Sequence, residues 1–213
     1  MDKLRPERVT QDRVIKLFQS LGYTYLGNWK TRERNKAVEY DLLEAFLKRR
    51  GVSQPQIDAA RLKIEQTIPV VGHTLYEANR KVYGLLRYGV QVQTVVSKPH
   101  ETVHLVDWDH PENNDFAIAE EVTILDGSDV RRPDLVLYLN GFAIGVIELK
   151  RTSVTVGDGI RQLISNQNSN PNFFVASQLL FAGNERRFID LLNPSQVLSV
   201  LFRFGYLHWF SLR

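Results

Sequence analysis

Apolar residues at helical spacing predict that the chain begins with helices. Val14, Phe18 and Leu21 lie three or four positions apart and are followed by Gly22, a pattern typical of an amphipathic helix over residues 13–21. A short strand is predicted at residues 23–26. The same criteria predict further helices at residues 38–50, 55–66 and 75–86.

The period of the pattern changes from helical to alternating at Val90. Val90, Val92 and Val96 alternate with mostly polar residues, and residues 101–106 do so again, which predicts two paired strands. Further strands are predicted at residues 116–125, on each side of Asn140-Gly141 and at residues 173–181, with a helix at residues 159–167. We therefore expect a mixed α/β (α+β) domain.

Three ionisable residues stand at the ends of the two apolar strands within residues 131–150. Asp134 comes before the first strand, and Glu148 and Lys150 end the second. Buried carboxylates are costly unless a metal, a basic partner or solvent compensates them. Two carboxylates, a backbone carbonyl and waters suit Mg²⁺. Glu148 and Lys150 share one face of a strand, and a lysine beside a metal-bound water predicts hydrolysis of a phosphodiester bond.

The turn between these two strands decides whether the carboxylates converge. A two-residue turn at Asn140-Gly141 puts Asp134 and Glu148 on opposite faces of the sheet. Convergence requires one extra residue, which either a three-residue loop at residues 140–142 or a β-bulge supplies. We expect the three-residue loop, with the glycine in the left-handed conformation. A local bend at Asp134 is the alternative.

Composition excludes several classes of function. The 213 residues are 43% hydrophobic and 24% charged, as in a soluble globular protein with one sizeable domain. The absence of cysteine excludes disulfide scaffolds, thiol catalysis and cysteine-bound zinc, and fits a cytoplasmic protein. No apolar run is long enough for a membrane span. The net charge of +3 does not by itself indicate a nucleic-acid partner.

Several separate stretches resemble the N-terminal endonuclease domain of type I restriction enzyme R subunits, a branch of the PD-(D/E)xK nuclease superfamily. These stretches are residues 21–23, 75–92, 109–116, 132–134 and 147–150. Together they extend over roughly residues 10–183 and are far more specific than three ionisable residues alone. The resemblance implies a nuclease-like central mixed β-sheet flanked by helices.

The resemblance also implies roles for individual residues. Asp134 and Glu148 correspond to the Mg²⁺ ligands, and Lys150 corresponds to the catalytic lysine. The family carries a Gln-x-x-x-Tyr element on the next helix. Gln162 matches its first residue and is a further candidate catalytic residue, whereas position 166 is asparagine instead of tyrosine.

Other residues are weaker candidates. The superfamily commonly has an acidic residue on the first helix; Glu7 is the candidate here, although Gln11 occupies the more expected position. Asp115, in the run Asn-Asn-Asp, is either a turn residue or a support for the active site. Three arginines flank the site and are candidates for contact with DNA phosphates: Arg131, Arg132 and Arg151.

His100 and His104 form the His-Glu-x-x-His pattern of zinc proteases. That chemistry requires a helix, on which residues four apart share a face. The preceding Lys98-Pro99 and the β-branched residues nearby favour a strand, on which the two histidines stand about 13 Å apart. We therefore expect no zinc site.

The resemblance implies double-stranded DNA as substrate and the methylation and specificity subunits of a type I complex as partners. ATP is expected only through the family's motor, and these 213 residues contain no Gly-x-x-x-x-Gly-Lys-Ser/Thr loop. We expect an endonuclease domain at residues 1–184 and a tail of uncertain structure at residues 185–213, as in a truncated gene, a shifted reading frame or a fragment. The rival hypothesis is a catalytically decayed nuclease fold that docks on DNA or on partner subunits.

Overall fold

The computed structural model describes residues 6–97, 99–126, 129–151, 153–184 and 188–192. Its helices are α1 (Pro6–Ser20), α2 (Tyr40–Arg49), α3 (Gln54–Thr67), α4 (Leu75–Tyr88), α5 (Val156–Ser169) and α6 (Pro171–Phe174). Its strands are β1 (Thr24–Asn28), β2 (Val90–Val92), β3 (Glu101–Val103), β4 (Phe116–Glu120), β5 (Ile124–Asp126), β6 (Asp129–Arg131), β7 (Leu135–Leu139), β8 (Phe142–Leu149), β9 (Leu179–Gly183) and β10 (Phe188–Leu192). Within these ranges no helix has the length and apolar character needed to cross a membrane.

A six-stranded mixed sheet in the order β1-β4-β7-β8-β9-β10 forms the centre of the domain. Strands β1 and β4 are parallel, as are β8 and β9, and the other neighbours are antiparallel. Two separate antiparallel ribbons, β2-β3 and β5-β6, lie outside this sheet. The expected mixed α/β fold with a central sheet is therefore confirmed. The expected tail begins before β10, which extends the sheet, and residues 193–213 lie outside the described residues.

Local sequence signals place most of the helices and strands within a few residues of their observed bounds. Helix α4 shows why, because Thr74 and Glu77 cap it reciprocally: the Glu77 N–H donates to Thr74 Oγ1 over 3.2 Å, and the Thr74 N–H donates to Glu77 Oε2 over 2.8 Å. Gly89 follows the helix with a φ of +79°, a conformation that glycine adopts without strain.

Four strand predictions are wrong in part. The strands expected from Val90 to Val96 and at residues 101–106 end earlier, at Val92 and Val103. The strand expected at residues 116–125 is divided into β4 and β5 at Glu121, which has a φ of +53° and so leaves the extended conformation. The strand expected at residues 173–181 begins only at Leu179, because Phe173 and Phe174 belong to the short helix α6. Pro171 is the first residue of that helix, a position that suits the fixed φ of proline.

The two faces of the central hairpin pack against different helices. Leu135, Leu137 and Ile147 lie in a buried cluster with Ile15 of α1. Residues on the opposite face, including Val136 and Val146, are buried with Val156 and Leu163 of α5. A third cluster, formed by α2, α3, α4 and the β2-β3 ribbon, covers the turn end of the hairpin.

The hairpin contains a bulge where a longer loop was expected. The turn is only Asn140-Gly141, with both residues at positive φ, and Leu139 pairs with Phe142. The three-residue loop is therefore wrong. The register then shifts, because Tyr138 pairs with Ala143 but Leu137 pairs with Gly145. The extra residue is Ile144, so the bulge supplies the change of face that convergence requires.

Gly141 is predicted to tolerate alanine poorly. Its φ is +88°, and an added Cβ would lie 2.5 Å from the Glu39 carbonyl oxygen, so both strain and collision oppose the substitution. We expect Gly141→Ala to lower the free energy of unfolding by at least about 2 kcal/mol, measured by urea denaturation. Gly72→Ala is the control, because Gly72 also has a positive φ but has no atom within 4 Å of an added Cβ. Equal losses in the two variants would contradict the packing argument.

Candidate active site

The bulged hairpin brings Asp134 and Glu148 to the same face of the sheet. Leu135 pairs with Ile147, and extending this register by one residue places Asp134 opposite Glu148. The backbone N–H of Leu149 donates to Asp134 Oδ2 over 2.6 Å. Glu148 has no exposed surface. The two carboxylates therefore lie side by side at the end of a buried sheet.

Lys150 joins these carboxylates, and Gln162 of α5 orients its side chain. Lys150 Nζ lies 3.8 Å from Glu148 Oε2 and donates a 2.5 Å hydrogen bond to Gln162 Oε1. Gly159 permits this close approach of α5, because an added Cβ there would lie 3.2 Å from Ala182 Cβ and 3.5 Å from Lys150 Cγ. The structure thus brings together all four residues that were expected to be catalytic.

Sequence reasoning missed the contribution of Asn166. Its Nδ2 donates to Glu148 Oε1 over 3.0 Å, and its side chain is almost fully buried. Asn166 follows Gln162 by one helical turn, so both residues face the sheet. The signal available in the sequence was a polar residue on the apolar face that Val156 and Leu163 define.

The electrostatics of the carboxylate pair are unfavourable without a cation. Burial, followed by the neighbouring charge of Asp134, raises the pKa of Glu148 well above its usual range. Burial also raises the pKa of Asp134, although the Leu149 N–H and the charge of Lys150 oppose that shift. Glu148 Oε2 is buried and has no hydrogen-bond partner. Two carboxylates of this kind suit a hard divalent cation as ligands, and its positive charge would compensate their negative charges.

The described residues contain no cluster of three or more His, Cys, Asp or Glu side chains able to hold a metal ion. Magnesium does not require one, because it is commonly bound through one or two carboxylates with waters and substrate phosphate completing its shell. His100 and His104 flank β3, so the residues between them form a strand, as expected.

A second buried carboxylate, Glu120 at the end of β4, shows the opposite behaviour. Burial favours a higher pKa for Glu120, but hydrogen bonds from Arg8, Asn28 and Tyr25 outweigh it and lower the pKa overall. Arg8 Nη1 lies 2.7 Å from Glu120 Oε2. Gln11 also bridges Glu120 Oε2 and the Asp134 carbonyl oxygen, each over 3.3 Å. Hydrogen bonds therefore compensate the negative charge of Glu120 and attach α1 to the sheet, unlike the situation at Glu148.

The acidic candidate on the first helix lies near the carboxylate pair. Glu7 Oε2 is 3.6 Å from Arg151 Nε, and its charge raises the pKa values of both Asp134 and Glu148. At the other candidate position, Gln11 Nε2 donates to the backbone carbonyl oxygen of Asp134. Asp115 is not brought to the site. It pairs with Arg49 over 2.8 Å and lies at the opposite, turn end of β7.

The three flanking arginines are each paired with an acidic side chain. Arg132 Nε lies 2.8 Å from Glu121 Oε2, and Arg151 pairs with Glu7. Both acids act electrostatically on Asp134, so these two arginines border the site. Arg131 bonds to Asp129 and to Ser169 Oγ at the end of α5.

The fold and the site define the class of the protein: a mixed α/β domain whose central sheet ends in two carboxylates and a lysine. Comparison with known families then identifies it, because the chain matches the model of the type I restriction enzyme R protein N terminus over residues 3–196. The chain belongs to this family.

Two relatives are similar over most of the chain. One is a putative type I restriction enzyme MjaIXP endonuclease subunit of Methanocaldococcus jannaschii, 25% identical over 193 residues and 84% of this chain. The other is the type I restriction enzyme HindI endonuclease subunit of Haemophilus influenzae, 32% identical over 189 residues and 82% of this chain. In both cases the match spans 18% of the relative's own length.

The carboxylate pair is predicted to lower the stability of the metal-free protein. Because the pKa of Glu148 is raised on folding, the folded chain binds this proton more tightly than the unfolded chain. Its stability therefore falls as the pH rises above the unfolded pKa of about 4.3. We expect Glu148→Gln to be more stable than the parent chain at pH 8, by about 1–3 kcal/mol more than at pH 5.

Urea denaturation with EDTA at the two pH values measures this difference. Glu65→Gln, which removes a surface partner of Arg61, is the control and should show no such pH-dependent gain. A Glu148→Gln variant that is less stable than the parent chain at pH 8 would contradict the unfavourable electrostatics.

Proposed function

We propose that this chain is a magnesium-dependent endonuclease domain that hydrolyses phosphodiester bonds of double-stranded DNA. The observation that carries the proposal is the buried Glu148 Oε2, which lies beside Asp134 and has no hydrogen-bond partner, with the Lys150 ammonium 3.8 Å away. Two neighbouring carboxylates with few hydrogen-bond donors around them suit a divalent cation. The membership of the family supports the same reaction.

Asp134 and Glu148 would hold the magnesium ion, which when bound acidifies a water and polarises the phosphate. The Leu149 N–H donates to one oxygen of Asp134, and Asn166 Nδ2 donates to one oxygen of Glu148. The cation site is therefore preorganised by the sheet and by α5. Such preorganisation limits the reorganisation needed when the reaction occurs.

Lys150 would stabilise the negative charge that develops on the phosphate oxygens during attack. Its ammonium is directed by Gln162 Oε1 and is only 15% exposed. A cation in such a partly dehydrated position acts more strongly than one in water. Gln162 would accordingly act as a positioning residue, since it contacts Lys150 directly.

The flanking arginines would contact the phosphates of the duplex. Arg131, Arg132 and Arg151 remain between a third and a little over half exposed in their ion pairs. Ion pairs this exposed are weak, so DNA phosphates can replace the carboxylate partners. These contacts would position the backbone without selecting a base sequence.

The relatives' names describe endonuclease subunits of type I restriction enzymes, and this chain matches only 18% of their length. We propose that the domain acts within such a complex, where methylation and specificity subunits select the DNA and an ATP-dependent motor outside these 213 residues delivers it. Restriction of DNA would place the protein in the cytoplasm. Cleavage by this chain alone should be weak and not sequence-specific.

Metal binding tests the site directly. We expect the parent chain to bind Mn²⁺ and Mg²⁺, and expect Asp134→Asn and Glu148→Gln each to weaken Mn²⁺ binding at least about tenfold, because each removes a charged oxygen ligand. Isothermal calorimetry measures the affinities. Glu65→Gln is the matched surface control. A parent chain that binds neither metal would favour the rival hypothesis of a decayed nuclease fold.

Substitution of Lys150 is predicted to slow DNA cleavage without weakening metal binding. With supercoiled plasmid and Mn²⁺, Lys150→Met should nick DNA at least about a hundredfold more slowly, because the charge that stabilises the transition state is lost. Its Mn²⁺ affinity should not decrease, since no ligand is removed. Lys63→Met, on the distant helix α3 where Lys63 contacts Gln91, is the control. Nicking by Lys150→Met at the parent rate would exclude lysine-assisted chemistry.

A further inference from the structure

The hydrogen bond between Asn166 and Glu148 is a contact between two buried side chains. Asn166 is 2% exposed and Glu148 is 0% exposed, and Asn166 Nδ2 lies 3.0 Å from Glu148 Oε1. The other carboxylate oxygen, Oε2, has no hydrogen-bond partner and is the one that faces Lys150. The amide therefore engages Oε1, and Oε2 remains on the side of Lys150.

We propose that Asn166 is a positioning residue that fixes the orientation of the Glu148 carboxylate for metal binding. The proposal rests on the function proposed above. The terminal torsion of a glutamate is broad and has no strong preference of its own. A donor bound to Oε1 restricts that torsion and directs Oε2 towards Asp134 and Lys150. The ligand oxygen is then already in place before the cation arrives.

The surroundings of Asn166 favour this role over a purely structural one. Position 166 lies on the apolar face of α5, with Val156 and Leu163, where a leucine would pack without polar atoms to satisfy. Burial of an amide is unfavourable unless it is hydrogen-bonded. Here the amide donor is directed at a proposed metal ligand, and such outer contacts commonly tune metal affinity tenfold to a hundredfold.

The contact also shows what the asparagine does at the position of tyrosine in the Gln-x-x-x-Tyr element. Gln162 and Asn166 lie one turn apart on α5 and contact Lys150 and Glu148, which are two residues apart at the end of β8. One face of one helix thus orients both charged groups of the strand. Position 166 lacks the tyrosine hydroxyl of that element, but the asparagine supplies a hydrogen-bond donor there.

The test compares Asn166→Leu and Asn166→Ser with the full 213-residue parent chain. Circular dichroism and thermal melting establish whether each variant is folded, and calorimetry with Mn²⁺ measures metal affinity well below the melting temperature. Asn79→Leu is the matched control. Asn79 is also a buried asparagine, but its amide donates to the Val175 and Ser177 carbonyl oxygens, so its loss should lower the melting temperature and leave Mn²⁺ affinity unchanged.

We expect both Asn166 variants to be folded and to bind Mn²⁺ about tenfold to a hundredfold more weakly. A folded variant with an affinity within threefold of the parent chain would overturn the proposal. Failure of both variants to fold would also overturn it, because Asn166 would then be a structural residue. If the parent chain itself binds no Mn²⁺, the proposed function is wrong. The measurement on the parent chain therefore distinguishes that outcome from a failure of the proposal about Asn166.

Discussion

The β-bulge at Ile144 is the constraint on which the candidate site depends. Side chains alternate between the two faces of a sheet, and β7 and β8 are buried on both faces, so a one-residue slip would place the side chains of each strand in the wrong core cluster. A regular hairpin from the Asn140-Gly141 turn would direct Asp134 and Glu148 to opposite faces. The extra residue moves them to one face while the turn end keeps its own pairing. Glycine suits position 145, because an added Cβ would lie only 3.1 Å from Leu137 Cδ1.

Glu120 and Glu148 are buried carboxylates at the same end of the sheet, and they differ in how far their charge is compensated. Glu120 receives an arginine and several neutral donors, which together stabilise its charge and attach α1 to the sheet. Glu148 receives a single amide donor and a lysine at longer range, beside a second carboxylate. The arrangement at Glu120 stabilises the fold, and the arrangement at Glu148 leaves Oε2 without a hydrogen-bond partner where a cation would bind. This difference separates the structural acid from the proposed metal ligand more clearly than burial does.

Helix α5 links the packing of the domain to its proposed chemistry. Its apolar residues bury one face of the hairpin, and Gly159 allows the helix to approach the strand closely. The same face carries Gln162 and Asn166, which contact the two charged residues at the end of β8. The core contacts of α5 hold the helix against the hairpin, and the helix in turn positions these two polar side chains.

The sequence by itself determined the helices and strands with strong periodicity, and it determined which ionisable residues end apolar strands. Asp134, Glu148 and Lys150 could be identified because a charge at the end of a buried strand is unusual, and Gln162 because of the family pattern. Only the tertiary structure decided the bulge, since a turn of two or three residues and a shifted register are equally compatible with the local sequence. It alone also showed that Asn166 contacts Glu148 and that Asp115 lies at the other end of the sheet. These facts depend on contacts between segments distant in the chain, which local periodicity does not encode.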